Sequence, residues 1–206
     1  KVFSFNEIMR QQGPEKQVFR DILTRISDGS FPVRDWDTLK PQNLNSMPPE
    51  EKRVFEENAI MVCSRNCDLK EYNISRIQAL GTPIAPVKAE NNCSVAKAAT
   101  PSKAGGLYNQ IIIAKDAEML LTGNLWKEAG LTNGARCKVL LVMYSPGRKP
   151  PLVPDLVIVQ VDQYRGPSFM NEPKIVPVAP VTRTWMVGAT VCNRTMLPLV
   201  PAYAMS

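Results

Sequence analysis

The chain has 206 residues, 44% of them apolar, enough to bury one good core or two small ones. Lys and Arg number 25 against 19 Asp and Glu, so the net charge is +6, an excess compatible with a polyanionic partner but too mild to demonstrate one. Histidine is absent, which removes Ser-His and Cys-His nucleophile pairs and His-containing zinc sites, and with them most hydrolase chemistry.

In chain order, the first predicted element is a helix over residues 14 to 28. Phe19, Ile22, Leu23 and Ile26 fall at i, i+3, i+4 and i+7, with Pro14 in the first turn and Gly29 at the stop. Pro32 to Lys40 reads as a short helix begun by Asp35, and Ser46-Met-Pro-Pro-Glu-Glu as the start of another. Ala59-Ile-Met-Val-Cys63 is a short apolar run that predicts a buried parallel strand. Ser64-Arg-Asn-Cys-Asp68 follows as a polar turn, then a helix on which Leu69, Tyr72, Ile77 and Leu80 share a face, closed by Gly81. Strand, polar turn and helix make a β-α unit of a nucleotide-hydrolase-like sheet.

Residues 91 to 106 have no periodicity and predict a mobile connection. Strands are then expected at Ile111-Ile-Ile and at 117 to 122, and Asn133-Gly134 marks a turn into Arg136 to Tyr144. With Leu156 to Val161 and Ile175 to Val181, the stretch from about 130 to 185 reads as all-β, for which a five-strand SH3-like barrel is the natural packing. The chain then returns to the first sheet through 189 to 206.

The five cysteines, Cys63, Cys67, Cys93, Cys137 and Cys192, contain no Cys-x-x-Cys pair. They read as free thiols suited to a reducing compartment, and no metal site is expected. No run approaches the roughly 20 apolar residues of a membrane span, and Lys1-Val-Phe-Ser-Phe-Asn does not read as a leader. A soluble intracellular protein without a membrane partner is the expectation.

Three blocks carry a resemblance. Asn193-Arg-Thr-Met-Leu-Pro-Leu-Val-Pro-Ala-Tyr-Ala-Met-Ser206 resembles the approach to the DNA-contacting motif of the Pif-family (petite integration frequency) DNA helicases. In that family an Arg-Thr-x-x-Pro-Leu-x-x-Ala-Tyr-Ala-x-Thr/Ser strand leads into a His-Lys-Ser-Gln-Gly loop. Phe5-Asn-Glu-Ile-Met-Arg-Gln11, followed by a helix and Asp28-Gly29, is similar to the family's fourth helicase motif, and Ala114 to Gly134 looks like the entry to its small barrel insertion. The blocks stand in family order and together span nearly the whole chain. Within the family the likeness points to the transposon-associated, Helitron-like branch. The sequence departs from the pattern at Cys137-Lys138, where glycine is usual, and at Met196, where glutamine is common. Because it breaks off in an apolar segment and begins without Met, the chain is expected to be a piece of a longer protein.

The resemblance implies an α/β fold: a RecA-like second motor domain over 1 to 124, an SH3-like barrel insertion over 125 to 188, and a return to the RecA-like sheet over 189 to 206. It implies that Arg10 is catalytic, reaching the γ-phosphate of ATP bound on a first motor domain of the same protein, with Gln11 also at the nucleotide. A guanidinium suits that task because its fixed fork of donors matches phosphate oxygens, and such arginine fingers supply roughly 10³ to 10⁵ in rate. Taken alone, without the resemblance, Arg10 reads as an ordinary surface arginine before a loop. Ser64 and Asn66 lie where strand gives way to helix, a place that favours either a phosphate of bound DNA or simple capping. Ser206 inherits a DNA contact from the motif.

Trp126, Tyr144, Tyr164 and Trp185 suit either base stacking or a barrel core, and Arg148-Lys149 either a phosphate contact or a solvated turn. The chain has no Gly-x-x-x-x-Gly-Lys-Ser/Thr phosphate loop and no Asp-Glu metal motif, so ATP and Mg²⁺ would be bound mainly by the first motor domain. The function implied is part of an ATP-dependent 5′→3′ DNA helicase acting on single-stranded DNA in repair or recombination, in the nucleus. The rival readings are a stand-alone nucleic-acid-binding module and an inactive transposon remnant.

Overall fold

A computed structural model describes residues 11–169 and 172–205. Arg10 and Ser206 therefore lie outside the described residues. The chain divides into two units, residues 1–59 and 60–206.

The first unit is helical. α1 (Gln17–Ser27) is preceded by a 3-10 turn begun by Pro14, and Gly29 after it takes φ 71°, which lets the Ser30 N–H reach back to the Arg25 carbonyl at 2.9 Å. Of the four residues on its apolar face only Ile22 is buried; Phe19, Leu23 and Ile26 are exposed. α2 (Val33–Leu39) is capped by Pro32, not by Asp35 as the sequence suggested. Asp35 sits in the first turn and is buried, accepting bonds from Arg25 Nε at 2.5 Å and Nη2 at 2.7 Å. Two parallel bonds from one planar fork hold the carboxylate better than a helix cap would. α3 (Pro49–Asn58) begins with proline followed by Glu50 and Glu51, residues that suit a helix start by fixed φ and by charge.

In the second unit β1 (Met61–Val62) leads into α4 (Asn66–Ala79), then β2 (Ile84–Lys88), β3 (Glu90–Asn91), α5 (Ser94–Ala98) and β4 (Gln110–Ala114). β5 (Glu118–Leu121), β6 (Arg136–Met143), β7 (Leu156–Val161) and β8 (Ile175–Val178) follow. The chain then makes a hairpin of β9 (Val181–Val187) and β10 (Thr190–Met196), and ends its described course in β11 (Leu199–Pro201) and β12 (Ala204–Met205). Gly188, first of the two turn residues, takes φ 58°, as a tight hairpin turn requires.

These strands form a five-stranded antiparallel sheet in the order β11-β5-β6-β7-β8, a three-stranded sheet β3-β10-β9, and the two-stranded pairs β2-β4 and β1-β12. The five-stranded sheet includes 118–121 and 199–201, so it is wider than the 130-to-185 stretch read as β from the sequence. Alternate residues face one core, among them Met119, Leu121, Cys137, Val139, Val157, Val159, Val176, Val178 and Leu199.

Two further expectations are corrected. Residues 61–62 do form a parallel strand, but an exposed one, because among the described residues it has a neighbour only in β12. Residues 91–106 are not an irregular connection: they carry the end of β3, α5 and a run of turns fastened from a distance by Arg194.

Candidate nucleic-acid interface

The segment from 197 to 205 serves two sheets in succession. Leu199 to Pro201 pairs antiparallel with β5, and two residues later Ala204 and Met205 pair parallel with Met61 and Val62. Such a switch exposes backbone groups, and the structure satisfies them with one side chain. Asn73 of α4, buried, accepts the N–H groups of Tyr203 and Ala204 through Oδ1, each at 3.0 Å, and donates from Nδ2 to the Ala204 carbonyl at 3.1 Å. Leaving a buried backbone group unsatisfied costs about 1–3 kcal/mol, so this amide fixes the bend. Tyr203 is held as well: its hydroxyl accepts the Glu118 N–H at 3.1 Å, and Arg76 lies 5.4 Å from its ring centre.

The consequence is an edge. The Met61 N–H bonds to the Tyr203 carbonyl at 2.9 Å and the Cys63 N–H to the Met205 carbonyl at 2.8 Å, so β1 and β12 finish side by side. Ser64 and Asn66, both exposed, follow at once, and α4 starts there. The structure thus brings Ser64 and Asn66 to the carboxyl end of two parallel strands, the position where open α/β sheets bind ligands. The cap of α4 is Arg65, whose side chain makes no capping bond; its Nε pairs with Asp68 at 2.9 Å. That carboxylate in the first turn already meets part of the helix's preference for negative charge.

Gln11 belongs to the first unit. It is exposed, takes φ 55°, and its carbonyl accepts Arg20 Nη1 at 2.6 Å. No group of three or more His, Cys, Asp or Glu able to hold a metal exists among the described residues. Among them too, no helix is long and apolar enough to cross a membrane.

The aromatic candidates separate. Trp185 and Tyr164 pack against the core, with the Trp185 ring 5.9 Å from the Arg194 guanidinium and the Tyr164 hydroxyl donating to the Pro167 carbonyl at 3.1 Å. Tyr144 donates to the Leu152 carbonyl at 3.2 Å, while Trp126 is exposed. Arg148 is not a free loop tip: it donates to the Val153 carbonyl at 3.0 Å and stands 3.7 Å from Glu90 and 3.8 Å from Asp155. Met196 is wholly buried in the core.

Sequence reasoning missed two buried polar residues that tie distant segments together: Asn73 at this edge, and Arg194 away from it. Arg194 lies in β10 between buried Cys192 and Met196. Its Nη1 donates to the Leu107 carbonyl at 2.8 Å, its Nη2 to the carbonyls of Ala96 at 2.6 Å and Ala99 at 2.9 Å, and its Nε to Asn91 Oδ1 at 3.0 Å. Burial lowers its pKa from the ordinary arginine value, and the ring of oxygens answers that cost. The signals were there: strand alternation points Arg194 inward with Cys192 and Met196, and Asn73 lies four residues from both Leu69 and Ile77 on the apolar face of α4.

With this geometry in view, the fold is a mixed α/β arrangement of the kind seen in DNA helicase motors. Solved structures that it matches include Pif1 helicases. A Bacteroides Pif1 helicase matches with TM-score 0.62 at 15% identity over 97% of this chain and 41% of that one. The Pif1 helicase of Candida albicans gives TM-score 0.61 at 18% identity over 97% and 46%, and the Bacteroides enzyme in complex with ADP-AlF3 and ssDNA gives 0.56 at 14% over 96% and 40%. The chain spans about two fifths of the length of these proteins, and at such identities the likeness is one of fold. No protein-family model matches the chain, and no curated protein matches it.

Proposed function

We propose that this chain is the second motor domain, with its barrel insertion, of an ATP-dependent DNA helicase that moves 5′→3′ on single strands in the nucleus. The observation that carries the reading is the edge at which β1, β12 and α4 meet, in a chain whose fold follows Pif1 helicases over nearly all its length. Ser64 and Asn66 offer a hydroxyl and an amide there, groups that suit phosphate oxygens, and the motif resemblance assigns a DNA contact to Ser206. The motif resemblance assigns Arg10 to the γ-phosphate of ATP, with Gln11 beside it. ATP and Mg²⁺ would be held mainly by the first motor domain, since this chain has no phosphate loop. Bound there, the metal would neutralise phosphate charge. This chain's part is to place a cation against the nucleotide and to give the strand a floor.

Titration of the chain with a labelled single-stranded oligonucleotide at two salt concentrations tests the DNA half of the reading. Affinity should be micromolar or weaker, tolerant of sequence and reduced by salt, on the order of non-specific binding. Replacing Ser64 and Asn66 together by alanine should weaken it a few-fold. Nanomolar binding indifferent to salt would favour a complete, stand-alone binding module.

A further inference from the structure

Cys93 and Cys192 are 99 residues apart in sequence, yet their sulfurs stand 3.8 Å apart. Cys192 lies on β10 and is fully buried. Cys93 is half-buried beside α5, its sulfur accepting the Ala96 N–H at 3.4 Å, and it lines an open groove of about 440 Å³ with Lys88, Asn91, Lys97 and Gln110. The approach of the two thiols is built in, because Arg194, two residues beyond Cys192, grips the carbonyls of Ala96 and Ala99 just beyond Cys93.

We propose that Cys93 and Cys192 are a reversible redox pair, which a small anionic disulfide entering the groove converts to an intrachain disulfide. The groove suits such a reagent: two lysines for its carboxylates, amides for its peptide groups, and one reachable sulfur. Cys93, giving up its proton, attacks one sulfur of the small disulfide; the departing thiolate takes that proton and leaves as a thiol. Cys192 then gives up its proton and attacks the Cys93 sulfur, expelling the second small thiol. Two protein thiols are oxidised, and one small disulfide is reduced to two thiols. Burial, and then the contact with Cys93, raises the Cys192 pKa above the usual thiol value, so the second step accelerates as pH rises. The product is a covalent staple parallel to the one Arg194 makes, closing a loop of about two thirds of the second unit.

The test is to incubate the reduced 206-residue chain with glutathione disulfide at about pH 8 and map its peptides by mass spectrometry. The expected result is a peptide joining Cys93 to Cys192, a loss of two hydrogens, and a rise in Tm of roughly 5–10 °C reversed by dithiothreitol. Cys67→Ser should leave the cross-link intact, while Cys192→Ser should arrest the reaction with glutathione on Cys93. Cys137, its thiol pushed up to about 12 mainly by burial, should stay unmodified. If the unsubstituted chain carries glutathione on Cys93 or Cys67 with no Cys93–Cys192 peptide, the proposal is overturned, whether or not the serine variants fold.

Discussion

The two units of the chain use the same kinds of residue in opposite ways. In the first, Phe19, Leu23, Ile26, Trp36 and Phe55 are exposed, and the buried side chains among its described residues are one apolar residue, Ile22, and one charge, Asp35. The second buries a continuous apolar core and places within it two polar residues, Asn73 and Arg194, each bonded to backbone far away in sequence. Amphipathic helices alone do not make a core. What makes one here is strands that stack their alternate faces, with polar side chains tying irregular segments to them.

Variants that strike each unit's polar centre sharpen this contrast. The largest effect is expected from Arg194→Ala, which strands the carbonyls of Ala96, Ala99 and Leu107 in the interior. Urea unfolding should show the second unit losing about 3–5 kcal/mol, and amide hydrogen exchange should rise across 91–107 while the first unit is unchanged. A loss below 1 kcal/mol would mean that the segment holds itself. Asn73→Ala comes next, at about 2–3 kcal/mol, with faster exchange at Tyr203 and Ala204.

The smallest effect concerns the first unit alone. The hydrogen bonds from Arg25 hold the Asp35 carboxyl below its ordinary value of 3.8, against the opposing pull of desolvation. A lowered folded pKa gives stability that is present above the unfolded value and lost as pH falls through the folded one. Acid titration followed by NMR should therefore loosen α1 and α2 below about pH 4, and Asp35→Asn should abolish that step. A step in α1 and α2 that survives Asp35→Asn would contradict this origin.

Much of the fold was legible from local pattern. The helix over 14–28, the helix after Asn66 closed by Gly81, and the strands at 110–114, 136–143 and 156–161 follow from periodicity and turn chemistry. What could not be read was order imposed from a distance. Residues 91–106 lack periodicity because a guanidinium about a hundred positions away organises them. The burial of 61–62 was misjudged because an apolar run specifies a strand without specifying what covers it. Ser64 and Asn66 do lie between a strand and a helix, as the local pattern indicates, whereas Asp35 is no cap, because aspartate suits the first turn of a helix as well as its cap. Arg10 and Ser206, which rest on motif resemblance, fall outside the described residues.

The central claim, that the chain completes an ATP-driven motor, is tested most directly at Arg10. In a protein that joins this chain to its first motor domain, single-strand-stimulated ATP hydrolysis should fall at least about a hundredfold on Arg10→Ala, within the range of arginine fingers. A change under twofold, with the variant folded, would contradict the account.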